Sequence, residues 1–110
     1  MSSRNSPPAM TEHQRAAGRE KATAARRVRA ELKRQLSTGR IDLTDLFRIV
    51  AEDDERGQAA MRLRVGEVLL ALPGIGRTHA EELLVRQDIS GQRRIGQLGE
   101  RQRERLVAAV

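Results

Sequence analysis

The sequence predicts an all-α protein: a long N-terminal helix followed by a small helical domain. Two observations carry this. Apolar residues return every three or four positions instead of alternating, and capping residues and glycine stops divide the chain into helical lengths. No alternating strand pattern and no internal repeat appears. At 110 residues one folded domain is the natural count, with a core too small for a buried catalytic apparatus plus a cofactor pocket.

Each element has its own signal. Residues 1–10 (Ser, Asn, Pro-Pro) cannot bury anything and are expected to form a disordered tail. Thr11 is a helix N-cap with Glu12 favourably placed in the first turn. From there to Leu36 nearly every residue is a good helix former, Gly18 being the weak link, and Gly39 is the stop. Residues 11–40 therefore form a long basic helix, and 41–110 a compact helical domain. Asp42 or Thr44 caps a second helix through about Glu52, with Leu43, Leu46, Phe47 and Val50 on its apolar face. Gly57 is expected in the loop after it. Residues 60–72 read as one helix with Val65, Val68, Leu69 and Leu72 inward, ended by Pro73 and Gly74. A helix over 77–86 follows the tight link at 73–77. Residues 88–99 are turn-rich, and 100–110 close with a helix offering Leu106 and Val107 to the core.

Composition narrows the partners. The chain carries 21 Lys+Arg against 15 Asp+Glu, a net charge of +6, and it has no Cys and a single aromatic residue, Phe47. The lone ring argues against stacking bases on aromatic platforms. Zero Cys removes disulfides, thiolate chemistry and zinc-finger sites, and fits a cytoplasmic home. The apolar run 68–72 is far too short to span a bilayer, and residues 1–10 have no apolar segment of the secretory kind. Charge is also segregated. Residues 1–40 hold ten cations and three acids, 41–72 four and seven, and 73–110 seven and five. An anionic ligand should meet the first and last segments, while the acidic run Glu52-Asp53-Asp54-Glu55 faces away. Nucleic acid is the leading partner, with an anionic membrane surface behind it.

Three groups of residues carry this reading. In the first helix, at about 100° per residue, Arg15, Arg19, Arg26, Arg29 and Lys33 share a sector roughly 80° wide and about 27 Å long. Ala25, Val28, Leu32 and Leu36 lie in an adjacent sector, so only the C-terminal half can dock on a core and the N-terminal half projects. A plain solvated face or pairing with another copy gives the same pattern, although the a/d seam of a coiled coil is missing. A membrane-surface helix would want Leu, Phe or Trp where this one has Ala. The second group is Leu72-Pro73-Gly74-Ile75-Gly76-Arg77. Its glycines permit a sharp turn and close backbone approach, placing amides at a helix start where a phosphate is favoured. The alternative is a hairpin that needs glycine for geometry alone. The third, Arg93-Arg94 in a glycine-bounded loop, can bridge two phosphates or enter a minor groove. Arg101, Arg103 and Arg105 alternate with acids and read as a solvated face.

Catalysis and metal binding find no support in the sequence. His13 and His79 are far apart, and His79 suits a phosphate or solvent better than a metal. The acidic run lacks the loop glycine and alternating ligands of an EF-hand.

The segments "TEHQRAAGREKATAARRVRA", "LRVGEVLLALPGIGRTHAEELL" and "DISGQRRIGQLG" resemble the actinobacterial integration host factor family, in order, over about residues 10–110. The resemblance implies a long helix joined to a helix-two-turns-helix module, unrelated to the β-ribbon integration host factor of enteric bacteria. It implies a nucleoid-associated protein that binds duplex DNA with little sequence preference and bends or constrains it. By this resemblance Gly74, Ile75, Gly76 and Arg77 match the phosphate-holding hairpin, with Thr78 next to them, and Arg93 and Arg94 match the start of a basic cluster. Arg26, Arg27 and Arg29 match the basic stretch of the first helix. Gly96 stands where that cluster has a third Arg, and Glu81 where a basic residue is usual.

The hairpin also resembles that of ribosomal protein S13 and of helix-two-turns-helix DNA glycosylases. An RNA-binding role suits the Arg content but usually brings a long basic C-terminal tail, whereas this chain ends in "LVAAV". A glycosylase needs a nucleophile and an acid that the chain does not arrange. A helical protein–protein interaction module is the further alternative. The expected protein is thus a monomer without cofactor, small-molecule substrate or membrane partner, bound to double-stranded DNA in the nucleoid.

Overall fold

A computed structural model describes residues 11–110, and the expected N-terminal tail lies outside them. The protein is all-α, with six helices among the described residues: α1 (Glu12–Ser37), α2 (Leu43–Ala51), α3 (Glu55–Met61), α4 (Val65–Ala71), α5 (Arg77–Gln87) and α6 (Glu100–Ala109). A 3-10 turn, Ile95–Gln97, sits between the last two.

Local chemistry starts and stops α1 as the sequence indicates. The Thr11 hydroxyl accepts the Gln14 N–H at 3.1 Å, and the Gln14 side chain accepts the Thr11 N–H at 2.9 Å, which satisfies two of the amides a helix start leaves open. At the other end Gly39 adopts φ +75°, the left-handed geometry that closes a helix and suits glycine. Only Leu32 and Leu36 of α1 are buried, and residues 12–22 are exposed but for half-buried Ala16. The longest dimension, 58 Å against 28 and 25 Å, reflects that projecting half.

One apolar core organises the rest. Leu32 and Leu36 meet Leu43, Leu46 and Ile49 of α2, Val65, Val68 and Leu69 of α4, Leu83 of α5 and Leu106 of α6. Among the described residues no polar side chain is buried, so burial of apolar surface, about 1.5–3 kcal/mol per large side chain, sets the packing. Val107 packs partly against this core.

Two expectations are corrected here. Gly57 is not in a loop but buried within α3, because α2 and α3 approach so closely that a Cβ there would lie 2.6 Å from the Ile49 carbonyl oxygen. The single helix expected over 60–72 is two, α3 and α4. At the break Leu63 is fully buried, and the backbone of 63–66 pairs with residues 91–95 instead of continuing a helix. Ile95 donates its N–H to the Leu63 carbonyl and Val65 to that of Arg93, both at 2.8 Å, and Arg64 forms an antiparallel bridge with Arg94. Arg103 likewise departs from a purely solvated face: it donates to the Leu98 carbonyl at 3.1 Å and its guanidinium lies 5.3 Å from the centre of the Phe47 ring.

Candidate nucleic-acid interface

The helix α4 separates two candidate anion-binding elements. At its C-terminal end, Pro73 to Gly76 turn the chain into α5. Gly74 has φ +77°, so the turn itself demands glycine there. Gly76, the N-cap of α5, has φ −84° and nothing within 4 Å of where a Cβ would stand. Neither the backbone nor the protein's own packing requires glycine at 76. What the missing side chain leaves is an unobstructed approach to the start of α5.

That start differs from the others. Thr11, Asp42 and Asp54 cap α1, α2 and α3 through their side chains. Glu67 reaches back to the Arg64 N–H at 2.8 Å in α4, and Gln102 to the Gly99 N–H at 2.9 Å in α6. Among the six described helices, α5 has neither a side-chain cap nor an acid in its first turn, which instead holds exposed Arg77, Thr78 and His79. Amides and helix dipole point at solvent beside a guanidinium, a geometry suited to a phosphate. Ile75 is half-buried against the core and anchors the turn from beneath.

At the N-terminal end of α4, about 10 Å away along seven residues at 1.5 Å each, lies the loop with Arg93 and Arg94. Both side chains are exposed. Arg93 donates to the Gln97 carbonyl at 2.9 Å, and Arg64 to that of Gln92 at 2.6 Å. Gly66 donates its N–H to the Gly91 carbonyl at 2.9 Å, and a Cβ on Gly66 would stand 3.2 Å from that oxygen. The loop is stitched to α4 by backbone and side chain together.

The α1 stripe resolves into three parts. Arg15 and Arg19 both reach Glu12, at 3.3 and 2.9 Å, so a carboxylate already sits among the outermost cations. Arg26 is exposed and Arg29 half-exposed. Lys33 ends the stripe against α4, its Nζ 3.2 Å from Glu67. The stripe thus runs into the Arg64, Arg93 and Arg94 group. Arg27 does not join it: it lies about 100° around the helix from Arg26 and lines a groove with Glu31, Arg34, Asp54 and Arg56. Arg56 donates to Gln35 at 2.7 Å, about 160° around α1 from Lys33. Arg56, next to the acidic run at 52–55, thus meets a face of α1 away from Lys33, while Asp54 and Glu55 line the groove with Arg27 and Arg34.

The sequence reading missed Arg64 and Glu67. The spacing Arg64-x-x-Glu67 is that of an N-cap and the third helical residue, the signal by which a helix start at 65 could have been found. Among the described residues no group of His, Asp and Glu is placed to hold a metal ion, and no helix is long and apolar enough to cross a membrane.

Residues 36–110 match the family described as S13-like H2TH domain. Over 100 residues, covering 91% of both chains, the protein is 41% identical to integration host factor of Mycobacterium tuberculosis and equally to that of Mycolicibacterium smegmatis. The Streptomyces coelicolor integration host factor is 39% identical over 95 residues, 86% of this chain and 85% of that one. The chain belongs to the actinobacterial integration host factor family. A solved structure of sIHF bound to an 8-bp palindromic DNA matches with a TM-score of 0.72 and 34% identity, covering 81% of this chain and 96% of that one. The matched residues 36–110 span α2 to α6, and so include α4, the glycine turn and α5.

Proposed function

We propose that this protein binds duplex DNA through its phosphate backbone, with little sequence preference, and bends or constrains it as an architectural factor of the nucleoid. It acts by binding, as a cytoplasmic monomer without cofactor or small-molecule substrate, and not by catalysis. The observation that carries this reading is the uncapped, acid-free start of α5 behind Gly76 and beside Arg77, in a chain similar to a structure that holds DNA. In the proposed complex the α5 amides with Arg77 and Thr78 hold one phosphate. Arg93 and Arg94 take another, and Arg26 and Arg29 extend the contact along the duplex, with Arg15 and Arg19 farther out. None of these groups is the paired Asn, Gln or Arg of a helix seated in the major groove, so discrimination among sequences is slight.

A gel-shift titration over a salt series, with a random duplex and a matched RNA, tests this. With about six phosphates neutralised, log K falls against log salt with a slope near −5. Arg93→Ala/Arg94→Ala weakens binding alike on unrelated duplexes and makes that slope shallower by about 2. A loss confined to one sequence, or no duplex binding at tens of millimolar salt, overturns the reading. The S13-like description of residues 36–110 favours one rival, an RNA-binding role, and tighter binding to RNA at matched salt decides for it. End-to-end fluorescence transfer on a labelled duplex separates bending from simple coating.

A further inference from the structure

A single carboxylate joins the two halves of the basic band. One oxygen of Glu67 lies 3.2 Å from Lys33 Nζ at the end of the α1 stripe. The other accepts the Arg64 N–H at 2.8 Å. Arg64 in turn bridges Arg94 through the backbone and donates its guanidinium to the Gln92 carbonyl at 2.6 Å. From α1 to the loop carrying Arg93 and Arg94 there is thus an unbroken line of polar contacts, with Glu67 at its centre.

An acid in this place needs a reason. As an isolated charge it repels the phosphates the surrounding guanidiniums would attract. As a half-exposed ion pair it adds little to stability, about 0–1 kcal/mol. Its two oxygens, however, meet Lys33 of α1 and the N-cap of its own helix, Arg64, and so tie α1 to the start of α4 that carries the Arg93–Arg94 loop. We infer that Glu67 is a positioning residue that locks the α1 stripe and the Arg93–Arg94 loop into one rigid surface, so that both meet a single duplex without further ordering. This rests on the DNA-binding reading above. The gain is entropic: side chains and loops ordered before binding need not be ordered during it.

The sign of one substitution decides the matter. Glu67→Gln keeps an acceptor for the Arg64 N–H, removes a negative charge and releases Lys33. If Glu67 only caps α4, simple electrostatics makes this variant bind duplex DNA more tightly. If Glu67 positions the band, Glu67→Gln binds about five- to tenfold more weakly, with a salt slope shallower by 1 or 2 as the loop disengages, while its melting temperature stays near that of the parent. Lys33→Gln supplies the second measurement. Under positioning it weakens binding and Lys33→Gln/Glu67→Gln is no worse than the weaker single variant. Under independent charges the two effects oppose and add. Tighter binding by Glu67→Gln, or additivity, overturns the inference while leaving DNA binding intact. Failure of the parent chain to bind duplex DNA instead overturns the reading beneath it. Should Glu67→Gln fail to fold, Lys33→Gln, at a half-exposed position, still discriminates: a slope change above 1 supports positioning, and a change near 1 marks a plain phosphate contact and overturns it.

Discussion

The starts of α2 and α5 are built from the same backbone and finished in opposite ways. At α2, Asp42 accepts the Asp45 N–H at 2.8 Å, and Asp45 accepts the Asp42 N–H at 3.0 Å. The helix there is closed by its own side chains. At α5 the corresponding position is Gly76, and no side chain reaches the first amides. A cap at that position contributes about 1 kcal/mol over Ala, so the protein forgoes stabilisation at α5 that it takes at α2. On the proposed reading the difference has a purpose: where the fold satisfies its own donors it gains stability, and where it leaves them open, as at α5, a phosphate of the duplex would take them.

The sharpest way to break this contrast is to close α5. Gly76→Asp fits, because φ is −84° and a Cβ there meets nothing within 4 Å. Its carboxylate takes the amides that a phosphate would use and adds a repelling charge. Duplex affinity is expected to fall about thirtyfold, the worth of a charge-assisted hydrogen bond, while stability to urea rises by a few tenths of a kcal/mol. Opposite signs in the two measurements are what the contrast demands. A variant that binds DNA as well as the parent removes the hairpin from the interface.

The converse substitution opens α2. Asp42→Ala is expected to lower stability by about 1 kcal/mol, read as a lower urea midpoint, with duplex binding unchanged to within about twofold. The exposed amides gain no anion because Asp45 remains in that first turn and the surface lies outside the basic band. If Asp42→Ala instead strengthens DNA binding, then any uncapped helix start on this cationic molecule attracts DNA, and α5 loses its distinction.

Why some of this was legible in the sequence and some was not follows from separation along the chain. The caps at Thr11 and Asp42 act over three residues, so composition and spacing disclose them. The stop at Gly39 and the turn at Gly74 are likewise local, since each needs a positive φ that glycine supplies. Gly57 misled because glycine within a helix normally weakens it; its reason is the carbonyl of Ile49 on another helix. The break at 62–64 was hidden for a related cause: it is made by hydrogen bonds to residues 91–95, some thirty positions on. Glu67 was invisible as an organiser because Lys33 and Gln92, which it links through Arg64, belong to segments that only the fold brings together. The cations of α1, and the turn of the helix that sets Arg27 apart from its stripe, could be read from the periodicity, but the grouping of Lys33 with Arg64, Arg93 and Arg94 required the packing.

The smallest effect concerns the charge that closes α2. The carboxyl of Asp45 is held below its ordinary value, first by the backbone N–H of Asp42 that it accepts, with the guanidinium of Arg48 at 3.2 Å adding to this. A carboxyl with a depressed value in the folded state stabilises the fold above the unfolded value, near 4, and that contribution drains away as pH falls through the folded value. Comparing the parent with Asp45→Asn by urea unfolding should therefore show a higher midpoint for the parent at pH 6, and a gap that closes as the pH is lowered below about 4. The start of α5, with no acid in its first turn, contributes no such acid-sensitive term; Gly76→Asp would install one there, with the same sign. A gap between parent and Asp45→Asn that persists at low pH would mean that shape, not charge, closes α2, and the opposition between a self-satisfied and an open helix start would have to rest on hydrogen bonding alone.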